Sequence, residues 1–138
     1  MRRARHRESG FTLIEALVAI VIFSIGVLAL IALQVTSVRQ SSNAKYRSEA
    51  ALLVNQLFGE MWISDRVVAN MQTNFSTGGT AYNTWAATVQ ARLPSSAASA
   101  PAVTVAANGQ VTVNVFWKAP NEEATAPQHN YTAIATIR

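Results

Sequence analysis

Glu15 is an acidic residue placed at the start of a long apolar segment. The eighteen residues from Ala16 to Leu33 carry no charge, and at a rise of about 1.5 Å per residue they cover most of a bilayer core of roughly 30 Å. A carboxylate at the centre of a membrane helix costs about 2.5–3.5 kcal/mol, and a position near the helix end lowers that cost. The placement indicates either a functional carboxylate that needs a partner or a capping box, Thr12-x-x-Glu15, at a helix start.

The other side chains that could act in catalysis or bind a metal are scattered along the sequence. His6 lies near the amino terminus and His129 stands alone in a predicted loop, so spacing supports no histidine pair, metal-ligand set or Ser-His-Asp group. Glu122-Glu123 is the one acidic pair, and adjacent carboxylates in a proline-flanked loop are expected to be solvated. No cysteine is present, which excludes thiol catalysis and zinc-thiolate sites. The sequence predicts a protein that is not an enzyme and uses no cofactor or metal.

The basic character of the chain is concentrated at its start. Residues 1–10 hold four arginines and one glutamate; without them the net charge falls from +4 to +1, with seven basic and six acidic residues. Basic residues beside a membrane helix stay on the cytoplasmic side, so we expect the rest of the chain to face outward. Arg39, Lys45 and Arg47 form only a short cluster without interleaved aromatic residues, so we expect no nucleic-acid partner. The apolar run is longer than a secretory h-region and should remain in the mature protein as a membrane anchor.

The helical pattern continues beyond Leu33. No proline occurs between Gln34 and Ala69, and the apolar residues there recur at helical spacing: Tyr46, Ala50, Leu53, Val54, Leu57, Phe58 and Met61. The pattern predicts one helix from about Phe11 to Asn70, whose second half is amphipathic and buries one face. Trp62 and Ile63 lie at or beyond the edge of the stripe, which makes them candidate subunit contacts.

The remainder of the chain predicts a small head. Residues 73–84 are rich in turn formers and read as a loop, after which Asn83 or Thr84 would cap a short helix that ends before Pro94. Alternating valines predict strands at about 102–107 and 110–118, joined by a type I′ turn at Asn108-Gly109, and a third strand at about 130–137. A long helix against an antiparallel sheet is an α+β fold.

The sequence Gly10-Phe11-Thr12-Leu13-Ile14-Glu15 follows a basic leader. This motif resembles the prepilin signature of type IV pilins and of the pseudopilins of type II secretion. The resemblance implies that a prepilin peptidase cleaves between Gly10 and Phe11 and methylates the new amino terminus. It also implies a pilin-like fold in which Glu15 is the assembly glutamate. The amino group of Phe11 from a neighbouring subunit would neutralise the charge of the Glu15 carboxylate. Repetition of that contact from subunit to subunit gives a helical filament.

The run from Ser24 to Leu30, the Ala-Leu-Gln at 32–34 and the segment from Ala51 to Met61 resemble the PilV minor pilins, the type IV pilus modification proteins. Many major pilins have a C-terminal disulfide loop and a helix proline, which this chain lacks. The resemblance implies four segments: a cleaved leader (1–10), a transmembrane and assembly helix (11–33), its amphipathic continuation (34–70) and a globular head (71–138). The implied partners are the prepilin peptidase, minor and major pilins, the inner-membrane assembly platform, membrane lipid and a tip adhesin.

The implied location is a single pass through the inner membrane with the head in the periplasm, followed by incorporation into a fibre at the cell surface. A minor pseudopilin of type II secretion is an alternative, since its amino terminus has the same spelling. An alternative of another class is a single-pass anchored module that binds a periplasmic ligand and never assembles. Such a module would tolerate Glu15→Ala, whereas a filament subunit would lose assembly or partner contact.

Overall fold

The computed structural model describes residues 9–94, 99–120, 122–123 and 125–138. The elements in chain order are helices α1 (Ser9–Ile63), α2 (Val68–Phe75) and α3 (Thr80–Arg92), then strands β1 (Ala102–Val105), β2 (Gln110–Trp117) and β3 (His129–Thr136). The strands form one antiparallel sheet in the order β1-β2-β3. A long amino-terminal helix packed on a small antiparallel sheet confirms the predicted α+β, pilin-like layout.

The chain divides into two compact units, residues 1–40 and residues 41–138, and α1 contributes to both. Within the second unit, α1 buries a stripe of side chains at the predicted spacing: Ala50, Leu53, Val54, Leu57 and Met61 are each 0% exposed. Tyr46 and Phe58 are partly buried beside this stripe. The amphipathic pattern therefore selects the core-facing side of the helix.

Helix α1 ends at Ile63, so the prediction that it runs to Asn70 is wrong. Two polar side chains bond to the backbone where the helix stops: the Ser64 hydroxyl donates to the Met61 carbonyl, and the Asp65 carboxylate accepts from the Val67 N–H. Such local bonds offer the backbone an alternative to the helical ladder. Helix α2 begins directly afterwards, and the Asn70 amide also donates to Asp65.

The loop predicted at residues 73–84 is shorter in the structure. Helix α2 extends to Phe75 and α3 begins at Thr80, so only residues 76–79 connect them. Gly79 occupies the N-cap position of α3, and Asn83 and Thr84 lie inside the helix, so the predicted capping residues are wrong. Met71 and Phe75 of α2 and Trp85 of α3 are buried, and their burial favours helix in a segment rich in turn residues.

The β1-β2 hairpin differs from the predicted type I′ turn. The Gly109 N–H donates to the Ala106 carbonyl, and Gly109 has φ of 79°. No non-glycine residue among the described ones has a positive φ, so Asn108 does not adopt the left-handed conformation that a type I′ turn requires. The turn covers residues 106–109, and its last residue is the left-handed Gly109. This loop is longer than the predicted two-residue turn, so β1 ends two residues earlier than predicted, at Val105.

The core lies between the helices and one face of the sheet. Alternate β2 residues point into it, and the Trp85 indole donates from α3 to the Leu53 carbonyl of α1 at 2.9 Å. The buried members are aliphatic or aromatic, as the predicted packing of the valine face on the helix stripe requires: Ala50, Leu53, Val54, Leu57, Met61, Met71, Phe75, Tyr82, Trp85, Ala86, Val89, Leu93, Val103, Val105, Val111, Val113, Val115, Trp117 and Ile137.

Candidate functional site

The first part of α1 exposes apolar side chains in every direction. Every side chain from Thr12 to Gln40 is exposed, including Leu13 at 69% and Phe23 at 73%. Within the described residues, α1 is the one helix long and apolar enough to cross a membrane. A helix that is apolar all round is normally covered by lipid or by other helices. Lipid or other helices must therefore cover this segment, because the described part of the chain leaves it exposed.

Two hydroxyl side chains of this segment bond to the backbone of the helix itself. The Ser24 hydroxyl donates to the Ile20 carbonyl at 2.7 Å, and the Thr36 hydroxyl donates to the Ala32 carbonyl at 3.1 Å. Hydroxyls bonded to the carbonyl one turn earlier are compatible with an apolar environment. No charged residue lies between Glu15 and Arg39. The hydroxyls of Ser24 and Thr36, which lie in this interval, are both paired.

Glu15 is the single charged residue inside the apolar part of α1. Its side chain is exposed, and it forms no hydrogen bond or ion pair with the rest of the described chain. Thr12 lies within α1, which begins at Ser9, so the capping-box alternative for Thr12 and Glu15 is wrong. The carboxylate stands on a helical surface with no charged neighbour before Arg39. A carboxylate so placed can accept hydrogen bonds or pair with a cation from outside the chain.

The remaining predicted site residues lie at the two ends of α1. Gly10 and Phe11 belong to its first turn. Trp62 and Ile63 form its last residues and are 49% and 87% exposed, and the nearby Val67 is 57% exposed. Gly10 and Phe11 lie within five residues of Glu15 on the same helix, whereas Trp62 and Ile63 are exposed apolar residues at its last turn.

A polar cluster formed by Glu122, His129 and Asn43 was missed by sequence reasoning. Glu122 and His129 were expected to be a solvated acid and an isolated histidine, and both expectations are wrong. The Glu122 carboxylate is 2.7 Å from Nε2 of His129, and its side chain is only 14% exposed. The Asn43 amide donates to the same carboxylate oxygen at 3.3 Å. The histidine ring stacks on Trp117 with ring centroids 5.8 Å apart.

The hydrogen bond from His129 is the main reason that the pKa of Glu122 lies below its ordinary value. The cluster borders a cavity of about 290 Å³, lined by Asn43, Ala44, Arg47, Trp117, His129 and Asn130. Within the described part of the chain, no three His, Cys, Asp or Glu side chains converge on a potential metal site. The contacts of Glu122 with His129 and Asn43 join it to β3 and α1, and no periodic sequence signal could have revealed them.

One comparison with known proteins identifies part of the chain. Residues 5–31 match the family model of the prokaryotic N-terminal methylation motif, which is the prepilin signal of type IV pilin-like proteins. No curated protein and no solved structure matches the chain. The match covers the predicted cleavage position, Glu15 and most of the exposed apolar segment. It supports a type IV pilin-like or pseudopilin structural subunit that is processed by a prepilin peptidase and anchored in a membrane.

Proposed function

We propose that this protein is a minor pilin of a type IV pilus, similar to the PilV proteins. It is a structural subunit that helps to prime, assemble or cap the fibre after leader cleavage between Gly10 and Phe11 and methylation of Phe11. The observation that carries the proposal is the methylation-motif match on an α1 segment whose apolar side chains from Leu13 to Ile31 are all exposed. A subunit with such a segment needs lipid before assembly and other subunits afterwards.

The proposed order of events follows from the charge pattern. The arginines of residues 1–10 hold the amino terminus in the cytoplasm while residues 11–33 cross the inner membrane and the head lies in the periplasm. Cleavage then removes the leader and creates a cationic terminus on Phe11. That terminus, from one subunit, neutralises Glu15 of another, because each charge alone is costly in an apolar environment. The pairing fixes the register at which residues 11–33 pack in the fibre.

We assign different roles in the fibre to different segments of the chain. Residues 34–70 connect the membrane segment to the head of residues 71–138, and Trp62 and Ile63 supply an exposed apolar contact to neighbouring subunits. The proposed partners are the prepilin peptidase, minor and major pilins, the assembly platform, lipid and a tip adhesin. The minor pseudopilin of type II secretion remains the second candidate, since the methylation motif is common to both systems.

Mass analysis of the mature protein tests the proposal. We expect a chain that begins at Phe11 and carries one added methyl group, in cells with the peptidase, and a full-length chain of 14.9 kDa in cells without it. An intact leader in both strains would contradict the proposal and favour an anchored binding module. Co-purification with pilus components, as opposed to secretion components, then separates the two filament systems.

A further inference from the structure

The buried side-chain atoms that lack a hydrogen-bond partner are concentrated in one place. Among the described residues there are three such atoms: Oδ1 of Asn43, Nε1 of Trp117 and Oε2 of Glu122. All three belong to the polar cluster or to the tryptophan on which His129 stacks. Buried polar atoms are nearly always paired, so unpaired atoms gathered in one cluster indicate a partner from outside the chain. Such a partner would meet two acceptors and one donor.

A cavity of about 290 Å³ lies beside these atoms. Trp117 and Asn43 line it together with Arg47, His129 and Asn130. Trp117 is 2% exposed, whereas Arg47 and Asn130 are exposed, so the cavity extends from the surface to the buried indole. Its volume lies close to the lower end of the range for ligand pockets, roughly 300–1,000 Å³. The size suits a small molecule.

Arg47 supplies a positive charge to this cavity. Neither of the two ion pairs among the described residues involves its guanidinium group. A guanidinium group binds a carboxylate through parallel N–H donors, and a low pairing cost is retained because the group is planar and always charged. The unpaired Trp117 N–H is a further donor in the same cavity. These two donors favour a ligand that carries a carboxylate.

Asn43 and Glu122 supply the opposite chemistry. The Asn43 amide N–H donates to Oε1 of Glu122, which leaves Oδ1 of Asn43 as an acceptor. The pKa of Glu122 is lowered, chiefly by the hydrogen bond from His129, so its carboxylate is charged at neutral pH. A ligand with a carboxylate alone would leave Oδ1 unpaired. An ammonium or hydroxyl group on the same ligand would donate to Oδ1, close to the negative charge of Glu122.

We propose that this cavity binds a small carboxylic acid that carries an amine or a hydroxyl group on the adjacent carbon, as amino acids and hydroxy acids do. The carboxylate pairs with Arg47 and accepts from Trp117, and the amine or hydroxyl donates to Asn43. Inorganic anions lack the donor and neutral sugars lack the charge, so each would leave part of the site unpaired. All of these residues belong to the unit of residues 41–138, so binding does not require assembly into a fibre.

Nuclear magnetic resonance of the full chain in detergent tests this binding with a matched series of small probes. L-alanine and L-lactate carry both groups, propionate lacks the donor, and L-alaninamide lacks the carboxylate. We expect saturable shifts of the Trp117 indole N–H signal with L-alanine and L-lactate, at affinities at least about tenfold higher than those of the other two probes. The Trp85 indole N–H is bonded to the Leu53 carbonyl and should not shift.

Arg47→Gln removes the charge and keeps an amide donor. It should lower the affinity for the tighter of L-alanine and L-lactate by at least about tenfold. Lys45→Gln is the matched control, because it removes one positive charge from the same helix. Lys45 does not line the cavity, and its Nζ lies 5.9 Å from the centre of the Tyr46 ring, so the affinity should stay at the wild-type value. Since Arg47 is exposed, its replacement should leave the unfolding midpoint unchanged.

Selective binding of at least one of L-alanine and L-lactate is required. A Trp117 signal that responds to neither probe would overturn the inference and leave the cavity to water. Propionate or L-alaninamide binding as tightly as both would overturn it as well, and so would a stable Arg47→Gln variant with wild-type affinity. The probe series needs no variant, so it decides the matter even if Arg47→Gln lowers the unfolding midpoint.

Discussion

Residues 12–40 and residues 41–63 belong to the same helix, but their side chains have opposite surroundings. Every side chain in the first segment is exposed, although most are apolar. In the second segment, Leu53, Leu57 and Met61 are fully buried against the head. The difference follows from the pattern of apolar residues, which surrounds the helix in the first segment and forms a single stripe in the second.

The comparison separates two kinds of stability within one helix. The second segment is stabilised by its own chain, through α3 and the sheet. The first segment can gain comparable burial only from lipid or from other subunits, because no part of the described chain covers it. Substitutions in the two segments should therefore change different measurements: head stability for residues 41–63, and assembly for residues 12–40.

The largest effect is expected for a cavity in the packed segment. Leu57→Ala should lower the free energy of unfolding of the head by about 2–5 kcal/mol, because Leu57 is 0% exposed. Leu28→Ala is the matched control in the exposed segment, where Leu28 is 65% exposed, and should change that free energy by less than about 0.5 kcal/mol. Denaturant unfolding of detergent-solubilised protein, followed by tryptophan fluorescence, measures both. Equal losses for the two variants would break the distinction between the segments.

A smaller effect is expected from the polar cluster at the start of the packed segment. The pKa of Glu122 is lowered in the folded protein, chiefly by the hydrogen bond from His129, so the charged carboxylate stabilises the fold above its ordinary pKa of 4.5. That contribution should disappear as pH falls through the lowered folded-state pKa. Glu122→Gln should be less stable than wild type at pH 7 and should lose less stability on acidification. The exposed Glu123→Gln is the control.

Thermal unfolding at several pH values measures this difference. If wild type and Glu122→Gln lose stability in parallel below pH 4.5, the Glu122–His129 contact contributes nothing to the attachment of the loop to α1. Since Asn43 also bonds to Glu122, Asn43→Ala should reproduce part of the effect.

The smallest effect concerns a surface contact of the packed segment. Arg92 of α3 lies 3.1 Å from Glu49 of α1, and their side chains are 49% and 30% exposed. Exposed ion pairs contribute about 0.2–1 kcal/mol. Arg92→Ala should therefore lower the unfolding free energy within that range at low salt, and the difference should shrink at high salt. A loss as large as that of Leu57→Ala would show that the ion pair, and not the apolar stripe, holds α1 to the head.

The α+β class, the apolar segment and the core stripe could be predicted because each follows from a repeated pattern of apolar residues. The end of α1 at Ile63 could not, because it depends on single bonds from Ser64 and Asp65. Helix α2 was missed for a related reason: burial of Met71 and Phe75 outweighs the turn-forming residues around them. Tertiary contacts decide such short elements.

The two candidate sites differ in the same way. Glu15 was recognisable because one charge interrupts a long apolar context. The pairing of Glu122 with His129 and Asn43 depends on how a loop folds back onto α1 and β3, and their spacing in sequence carries no signal for it. The left-handed conformation of Gly109 was predictable, but the conformation of Asn108 was not, since Asn-Gly occurs in more than one type of hairpin loop.

The most direct test of the central claim is the environment of Glu15 in the assembled fibre. Zero-length cross-linking of carboxylates to amines, followed by mass spectrometry, should join Glu15 of one subunit to the methylated amino group of Phe11 of another. Glu15→Gln is the control, and it should lose the cross-link while leader removal continues. A fibre in which Glu15 forms no such link and is instead modified by water-soluble carboxylate reagents would contradict the account.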